Sequence, residues 1–196
     1  MIELMEHQKK AILEMHTGCI LKGGTGSGKT MTALAYYDDQ EVVERLIVIT
    51  TAMKRDSGDW QAEGRELGLF PEVNSWNNLD QYEDVEGAFF IFDEQRVVGS
   101  GVWVKAFLTI TQKNQWILLS ATPGDTWLDY IPVFIANGFY KNRSEFMREH
   151  VVFSRFTKYP KVERVLGTRI LHDHLQKILV EMPFERKTVR HQIDVF

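Results

Sequence analysis

The sequence predicts an α/β protein built on a doubly wound, mainly parallel sheet with helices on both faces. Three observations lead to this fold class: short apolar runs recur along the chain, amphipathic stretches separate them, and a glycine-rich loop follows the first run. The runs show no alternation of apolar and polar residues, which is typical of parallel strands covered on both faces. A length of 196 residues with 44% hydrophobic content allows one domain with a substantial core.

The predicted elements follow one another in the order that such a sheet requires. The first strand covers 18–22 and holds the single cysteine, Cys19, which we expect in a buried packing role rather than a redox one. A packed helix over 31–37 follows the glycine-rich loop. The other predicted strands cover 46–50, 88–92 and 116–120, with a further candidate strand at 72–76.

Residues 23–30 read Gly-Gly-Thr-Gly-Ser-Gly-Lys-Thr, a complete G-x-x-x-x-G-K-T phosphate-binding loop between a predicted strand and a predicted helix. Its glycines let backbone N–H groups turn toward an anion, and the helix adds the positive end of its dipole. Lys29 is expected to reach the β and γ phosphates, and the Thr30 hydroxyl to bind Mg²⁺. A merely flexible loop is the alternative, but its strand and helix context favours binding of a nucleoside triphosphate. The expected nucleotide contacts are Gly24, Thr25, Gly26, Ser27, Gly28, Lys29 and Thr30.

An acidic pair, Asp93-Glu94, follows the apolar run 88–92. Asp93 is expected to hold the metal through water, and Glu94 to orient and deprotonate the attacking water. By itself, an acidic pair after a strand is usually a polar loop. Together with the phosphate-binding loop, it indicates hydrolysis of the triphosphate.

The net charge of −4 argues against a uniformly basic nucleic-acid binder, but the charge is unevenly distributed. Residues 1–140 hold 11 Lys and Arg against 20 Asp and Glu, whereas residues 141–196 hold 12 against 7. The basic end is suited to contact phosphate, and an ordinary solvated surface is the alternative. No stretch approaches the roughly 20 apolar residues of a membrane span, and the beginning is not a signal peptide, so we expect a cytoplasmic protein without a membrane partner.

A third segment, Ser120-Ala121-Thr122, follows the apolar run that ends at residue 120. With the phosphate-binding loop and Asp93-Glu94 upstream, it resembles motif III beside motifs I and II of superfamily 2 helicases and translocases. The resemblance implies a RecA-like lobe of the P-loop NTPase class that uses Mg-ATP. Motif III couples the nucleotide site to nucleic acid and to a second lobe in this family. The coupling residues that the resemblance implies are Gln95, Arg96, Ser120 and Thr122.

Two further segments extend the resemblance. Gln8 lies where this superfamily carries an adenine-reading glutamine, whose amide both donates and accepts, and an exposed glutamine on an amphipathic helix is the alternative. The segment 50–60 occupies the place of motif Ia, which contacts the nucleic-acid backbone in the family, although the usual proline is missing. The nucleic-acid contacts implied there are Thr50, Thr51, Lys54 and Arg55, whereas Trp60 is expected to be a core anchor.

The segment 127–146 resembles the region after motif III in Swi/Snf-type translocases, and related phage-encoded DNA helicases look most similar. The resemblance divides the chain into a RecA-like lobe over 1–140 and a basic helical extension over 141–196 that leads toward a second RecA-like lobe, in cis or in trans. It implies the first motor lobe of an ATP-dependent DNA helicase or translocase, weakly active in isolation because the arginine-bearing motif VI is missing. The alternative is a nucleotide-dependent interaction module with little hydrolysis of its own. An unrelated phosphate-loop kinase lacks a recognisable acceptor-binding segment.

Overall fold

The computed structural model describes residues 3–40, 45–94, 97–155 and 159–183. Its α-helices are α1 (Glu6–Glu14), α2 (Lys29–Asp39), α3 (Ala52–Ser57), α4 (Asp59–Glu66), α5 (Val102–Thr111), α6 (Ile131–Ala136), α7 (Arg143–His150) and α8 (Thr168–Ile178). Its strands are β1 (Ile20–Gly23), β2 (Arg45–Thr50), β3 (Glu72–Ser75), β4 (Ala88–Asp93), β5 (Gln115–Ser120), β6 (Val151–Phe153), β7 (Val162–Val165) and β8 (Leu179–Met182). Two 3₁₀ helices cover Trp76–Tyr82 and Trp127–Tyr130.

Six of the described strands form one sheet in the order β3-β2-β4-β5-β1-β8, and every neighbouring pair is parallel. The prediction of a parallel sheet is confirmed, and the candidate strand at 72–76 is β3. β1 and β2 are successive in the chain but lie on opposite sides of β4 and β5. Because all six strands run the same way, their carboxyl ends meet at one edge, which is where open α/β sheets bind ligands.

The strand side chains alternate between two buried layers, one on each face of the sheet. Phe90 and Phe92 belong to the layer covered by α5, α6 and α8. Phe89 and Ile91 belong to the layer covered by α1, α2 and α4. Phe92 packs edge to face on Phe107 of α5, with ring centroids 4.9 Å apart. Helices therefore cover both faces, as predicted, and this double burial explains why the strands read as continuous apolar runs.

The region 141–196, for which the sequence predicts a helical extension, contributes strands as well as α7 and α8. β8 pairs in parallel with β1 at the edge of the main sheet, and β6 pairs with β7 in a separate antiparallel sheet. His150 links this second sheet to the lobe, because its Nε2 lies 2.7 Å from the Tyr140 hydroxyl oxygen and its Nδ1 lies 2.9 Å from the Leu166 carbonyl oxygen. The main sheet thus draws on both sides of the predicted boundary at residue 140. Across the described ranges, no helix has the length and apolar character that a membrane span requires.

Candidate nucleotide-binding site

The glycine-rich loop lies between β1 and α2 at the carboxyl edge of the sheet. Gly28 is the N-cap of α2 with φ of +81°, and Gly26 has φ of +79°, a left-handed conformation that favours glycine. The loop opens into a cavity of about 570 Å³. The residues that line this cavity are Thr25, Gly26, Gly28, Lys29, Thr30, Lys54, Glu63, Asp93, Glu94, Leu119, Ser120, Ala121 and Thr122. The structure therefore brings the phosphate-binding loop, the acidic pair and the Ser-Ala-Thr segment together.

The loop leaves open space where an anion would lie. A Cβ built on Gly24 meets no atom within 4 Å, although the backbone there has an ordinary φ, whereas a Cβ on Gly23 would lie 2.6 Å from Ser27 Oγ. Ser27 Oγ is itself buried and has no hydrogen-bond partner within the part of the chain that the structure describes. An open concavity lined by backbone N–H groups at a helix N-terminus fits a phosphate group.

Lys29, the loop lysine, folds back onto its own loop. Its Nζ donates to the carbonyl oxygens of Gly23, at 2.6 Å, and Gly24, at 2.9 Å. Burial lowers the pKa of Lys29 from its usual value, and the nearby positive charge of Lys54 lowers it further. The ammonium is thus held beside the open space by neutral acceptors, which phosphate oxygens can replace as stronger, charged acceptors.

Asp93, the last residue of β4, is almost fully buried, and three side chains approach its Oδ2 atom. Thr50 Oγ1 donates at 2.8 Å, Trp60 Nε1 donates at 3.3 Å, and Lys54 Nζ donates at 3.1 Å. Donors on β2, α4 and α3 therefore fix the orientation of this carboxylate. Trp60 is the buried anchor that the sequence predicts, but its hydrogen bond to Asp93 joins residues 33 positions apart and has no local signal in the sequence.

Glu94 follows directly and has an unusual backbone conformation. Among the described residues, it is the one non-glycine residue with positive φ, at 62°. Its N–H donates to the Leu119 carbonyl oxygen at 3.0 Å, and its carboxylate Oε1 lies 3.0 Å from Lys54 Nζ. Sparsely populated backbone conformations of this kind persist where neighbouring structure enforces them, and they cluster at functional sites.

The oxygen atoms at this edge match the chemistry of Mg²⁺, which prefers carboxylate, hydroxyl and phosphate oxygens. Thr30 and Glu94 line the same cavity as Asp93. The donor set therefore fits the metal that the phosphate-binding loop implies.

The four predicted nucleic-acid contacts do not form one surface. Thr50 is fully buried, and its hydroxyl donates a hydrogen bond to Asp93 and does not face an external phosphate. Thr51 caps α3 by accepting from the Lys54 N–H at 3.3 Å. Lys54 points into the nucleotide cavity, whereas Arg55 pairs with the exposed Asp56 and donates to Ser75 Oγ at 3.4 Å. Of the two charged residues among the four, Arg55 is the one outside the cavity lining.

Gln8, the predicted adenine reader, is buried against the phosphate-binding loop. Its Nε2 donates to the Gly28 carbonyl oxygen at 3.2 Å, and its Oε1 accepts from the Met5 N–H at 2.8 Å. His7 Nε2 lies 3.0 Å from the Ser27 carbonyl oxygen. α1 therefore docks on the loop through two side chains, and both ends of the Gln8 amide already have protein partners. One N–H and one lone pair of the amide are used in this way, and a second of each is left for other partners.

Two of the predicted coupling residues lie in the cavity wall. Ser120 is buried at the end of β5, and its Oγ accepts from the Thr122 N–H at 3.2 Å. This bond ties the Ser-Ala-Thr segment into a fixed turn beside the acidic pair. Gln95 and Arg96, the other two, lie outside the described residues.

Two solved structures share the fold. The SWI2/SNF2 ATPase core domain of Sulfolobus solfataricus has a TM-score of 0.63 at 14% sequence identity, covering 92% of this chain and 43% of that one. The helicase domain of Hef from Pyrococcus furiosus has a TM-score of 0.51 at 15% identity, covering 76% of this chain and 40% of that one. These likenesses confirm the RecA-like fold, and the chain spans less than half the length of either neighbour. No protein-family model and no curated protein matches the chain.

Proposed function

We propose that this chain is the first motor lobe of an ATP-dependent DNA helicase or translocase of superfamily 2. The observation that carries the proposal is the convergence of Lys29, Asp93 and Glu94 on one cavity at the carboxyl edge of the sheet. The fold shared with a helicase domain and an ATPase core supports it. The likeness to phage-encoded helicases and the cytoplasmic location rest on the sequence alone.

In the proposed binding step, the triphosphate enters the open space above Gly24. The Lys29 ammonium releases the carbonyl oxygens of Gly23 and Gly24 and donates to phosphate oxygens instead. The N–H groups at the start of α2 face the same anion. Gln8 holds the loop in place through its hydrogen bond to the Gly28 carbonyl oxygen. Binding therefore depends on the lysine charge.

In the proposed hydrolytic step, Thr30 and Asp93 hold Mg²⁺, which when bound neutralises phosphate charge. Thr50 and Trp60 keep the Asp93 carboxylate oriented. The Glu94 carboxylate accepts the proton of the water that attacks the γ phosphate, so its oxygen must first part from the Lys54 ammonium. Ser120 and Thr122 lie in the same wall and would transmit the nucleotide state.

DNA and a second RecA-like lobe are the proposed partners. Thr51 is the N-cap of α3 and Arg55 lies in the last turn of that helix, and the positive charge of Arg55 suits a phosphate. The second lobe would follow the region 141–196 or be supplied by another chain. It would bring the arginine that phosphoryl-transfer enzymes use to stabilise transition-state charge.

Nucleotide binding and phosphate release test the proposal. A fluorescent ATP analogue with Mg²⁺ should bind Lys29→Ala about 10- to 100-fold more weakly, since a hydrogen bond to a charged group is lost. Lys22→Ala is the matched control, since Lys22 pairs with Glu181 away from the cavity lining. Equal affinity of Lys29→Ala and the parent would refute the proposed site.

Turnover is measured as phosphate release with and without single-stranded and duplex DNA, with Glu94→Gln as the blank. Loss of the general base should lower release by about 10²-fold or more. DNA stimulation that is missing from the blank would support a motor lobe that senses its track.

One observation favours a second function, a nucleotide-dependent interaction module. Lys54 engages both Asp93 and Glu94, so the two carboxylates that hydrolysis needs have a protein partner in this structure. Tight Mg-ATP binding without phosphate release, with or without DNA, would identify the chain as such a module.

A further inference from the structure

The ammonium of Lys54 lies beside the acidic pair, a position that the sequence does not predict. The residue belongs to α3, directly after β2, in the segment that resembles a nucleic-acid contact. Its Nζ instead lies 3.1 Å from Asp93 Oδ2, 3.5 Å from Asp93 Oδ1 and 3.0 Å from Glu94 Oε1. One ammonium thus bridges the two carboxylates of the acidic pair, inside the cavity that Lys29 also lines.

We propose that Lys54 is a tethered cation that competes with the divalent metal for Asp93 and Glu94, and that it leaves for a phosphate when the metal binds. The inference deepens the proposed function of this site and rests on it. Lys54 is thereby a positioning residue: it offsets part of the negative charge of the two carboxylates until the metal and a phosphate arrive together.

Charge and distance make the two cations alternatives. Mg²⁺ requires oxygen ligands at about 2.0–2.1 Å in near-octahedral geometry. An ammonium 3.1 Å from Asp93 Oδ2 occupies the open side of an oxygen that already accepts hydrogen bonds from Thr50 and Trp60. A metal on that carboxylate would stand within a few ångströms of the Lys54 charge, and the two would repel. Each of the two cations therefore weakens the binding of the other to the acidic pair.

The side chain is able to make this exchange. Lys54 is a cation at neutral pH, and its ammonium lies within 3.1 Å of one oxygen of each carboxylate. Its side chain is 38% exposed on a six-residue helix, and four methylene groups give the ammonium reach. Once displaced, a solvated ammonium beside a phosphate-binding loop has phosphate oxygens as its natural acceptors. Nucleotide and nucleic acid both supply them.

Mn²⁺ titration followed by electron paramagnetic resonance, without nucleotide, tests the competition. Lys54→Met should bind Mn²⁺ at least about tenfold more tightly than the parent. A divalent ion and an ammonium about 4 Å apart repel each other by enough to give this difference, even at the dielectric constant of water. Lys113→Met is the matched control, since it removes the same charge from a similarly exposed lysine that pairs with Glu86 outside the cavity lining, and it should stay within about twofold. Lys54→Arg keeps the charge and should bind Mn²⁺ as weakly as the parent.

Mn²⁺ affinity of Lys54→Met at or below that of the parent, in a variant whose circular dichroism melt is unchanged, would overturn the proposal. A gain shared equally by Lys113→Met would overturn it as well, since net charge alone would then explain it. No nucleotide or turnover enters this titration, so its outcome is separable from failure of the proposed ATPase.

Two further arms identify the phosphate that receives Lys54. The titration is repeated with a non-hydrolysable ATP analogue and, separately, with single-stranded DNA. If the nucleotide takes the ammonium, the analogue closes the gap in Mn²⁺ affinity between parent and Lys54→Met. If nucleic acid takes it, DNA closes the gap instead. A gap that persists with both ligands would refute the transfer of Lys54 to a phosphate.

Discussion

Replacing Thr50 by valine tests how the structure holds the acidic pair. Thr50 is fully buried at the end of β2, and its hydroxyl donates to Asp93 Oδ2 at 2.8 Å. Valine keeps the β-branched shape and fits the strand. The substitution therefore removes one donor from a buried carboxylate and changes little else.

The magnitude follows from the number of donors on Asp93. A hydrogen bond to a charged group contributes about 1.5–3 kcal/mol. Trp60 and Lys54 still approach the same oxygen after the substitution, so the lower half of the range applies and we expect a loss of about 1.5–2 kcal/mol. For a domain of this size, that corresponds to a fall in melting temperature of roughly 3–8 °C.

Urea unfolding followed by circular dichroism measures the loss. Thr111→Val is the matched control, because the buried Thr111 hydroxyl donates to a neutral acceptor, the Leu108 carbonyl oxygen, at 3.3 Å. We expect a loss of about 1 kcal/mol or less there. In an Asp93→Asn background the cost of Thr50→Val should shrink, because the acceptor has lost its charge.

The opposite pattern would refute this reasoning. If Thr50→Val is as stable as the parent but binds DNA more weakly, then Thr50 faces nucleic acid, as the motif resemblance implies, and the bond to Asp93 is not formed in solution.

Two further predictions concern the ionisable side chains of Cys19 and Glu63. Burial raises the pKa of Cys19 to about 11, so at pH 8.5 its thiolate fraction should lie about 10²-fold below that of a free cysteine. Iodoacetamide should therefore label Cys19 only as the pH approaches that pKa or as the chain unfolds. Rapid labelling of the folded protein at pH 8.5 would contradict this burial. Burial, followed by the charges of Glu66, Asp59 and Asp93, raises the pKa of Glu63 in the folded protein. Above that pKa, ionised Glu63 lowers the free energy of unfolding. This destabilisation disappears below the pKa that Glu63 has in the unfolded chain. Glu63→Gln should therefore melt at a higher temperature than the parent at pH 7 and at the same temperature below about pH 4, whereas a gain that is independent of pH would show that charge is not its cause.

The strands that form the middle of the sheet were predictable because their signal is local. The runs at 46–50, 88–92 and 116–120 are continuous and apolar, since helices cover both faces. β8 was not predicted, because Leu179–Met182 is short, includes a glutamate, and becomes a strand by pairing with β1. Its pairing partner lies 159 residues earlier in the chain, which no local pattern can reveal.

The candidate site likewise has one part that the sequence predicts and one that it does not. The phosphate-binding loop and the acidic pair are contiguous motifs, and their residue order fixes their place at the carboxyl edge of the sheet. The positions of Lys54 and Trp60 around Asp93 depend on how α3 and α4 leave β2, and thus on tertiary packing. The motif resemblance implies that Lys54 contacts nucleic acid, whereas in the structure its ammonium pairs with two carboxylates.

The edge position of β8 has a consequence for the order in which the chain acquires structure. β1, which leads into the phosphate-binding loop, pairs with β5 about a hundred residues later and with β8 later still. While the ribosome is still adding residues before 179, β1 therefore remains an open edge whose backbone groups are available to other strands. Pairings of such wide sequence separation are slow to form. Chains released before α8 and β8 are made should accordingly aggregate more readily than chains that contain both elements.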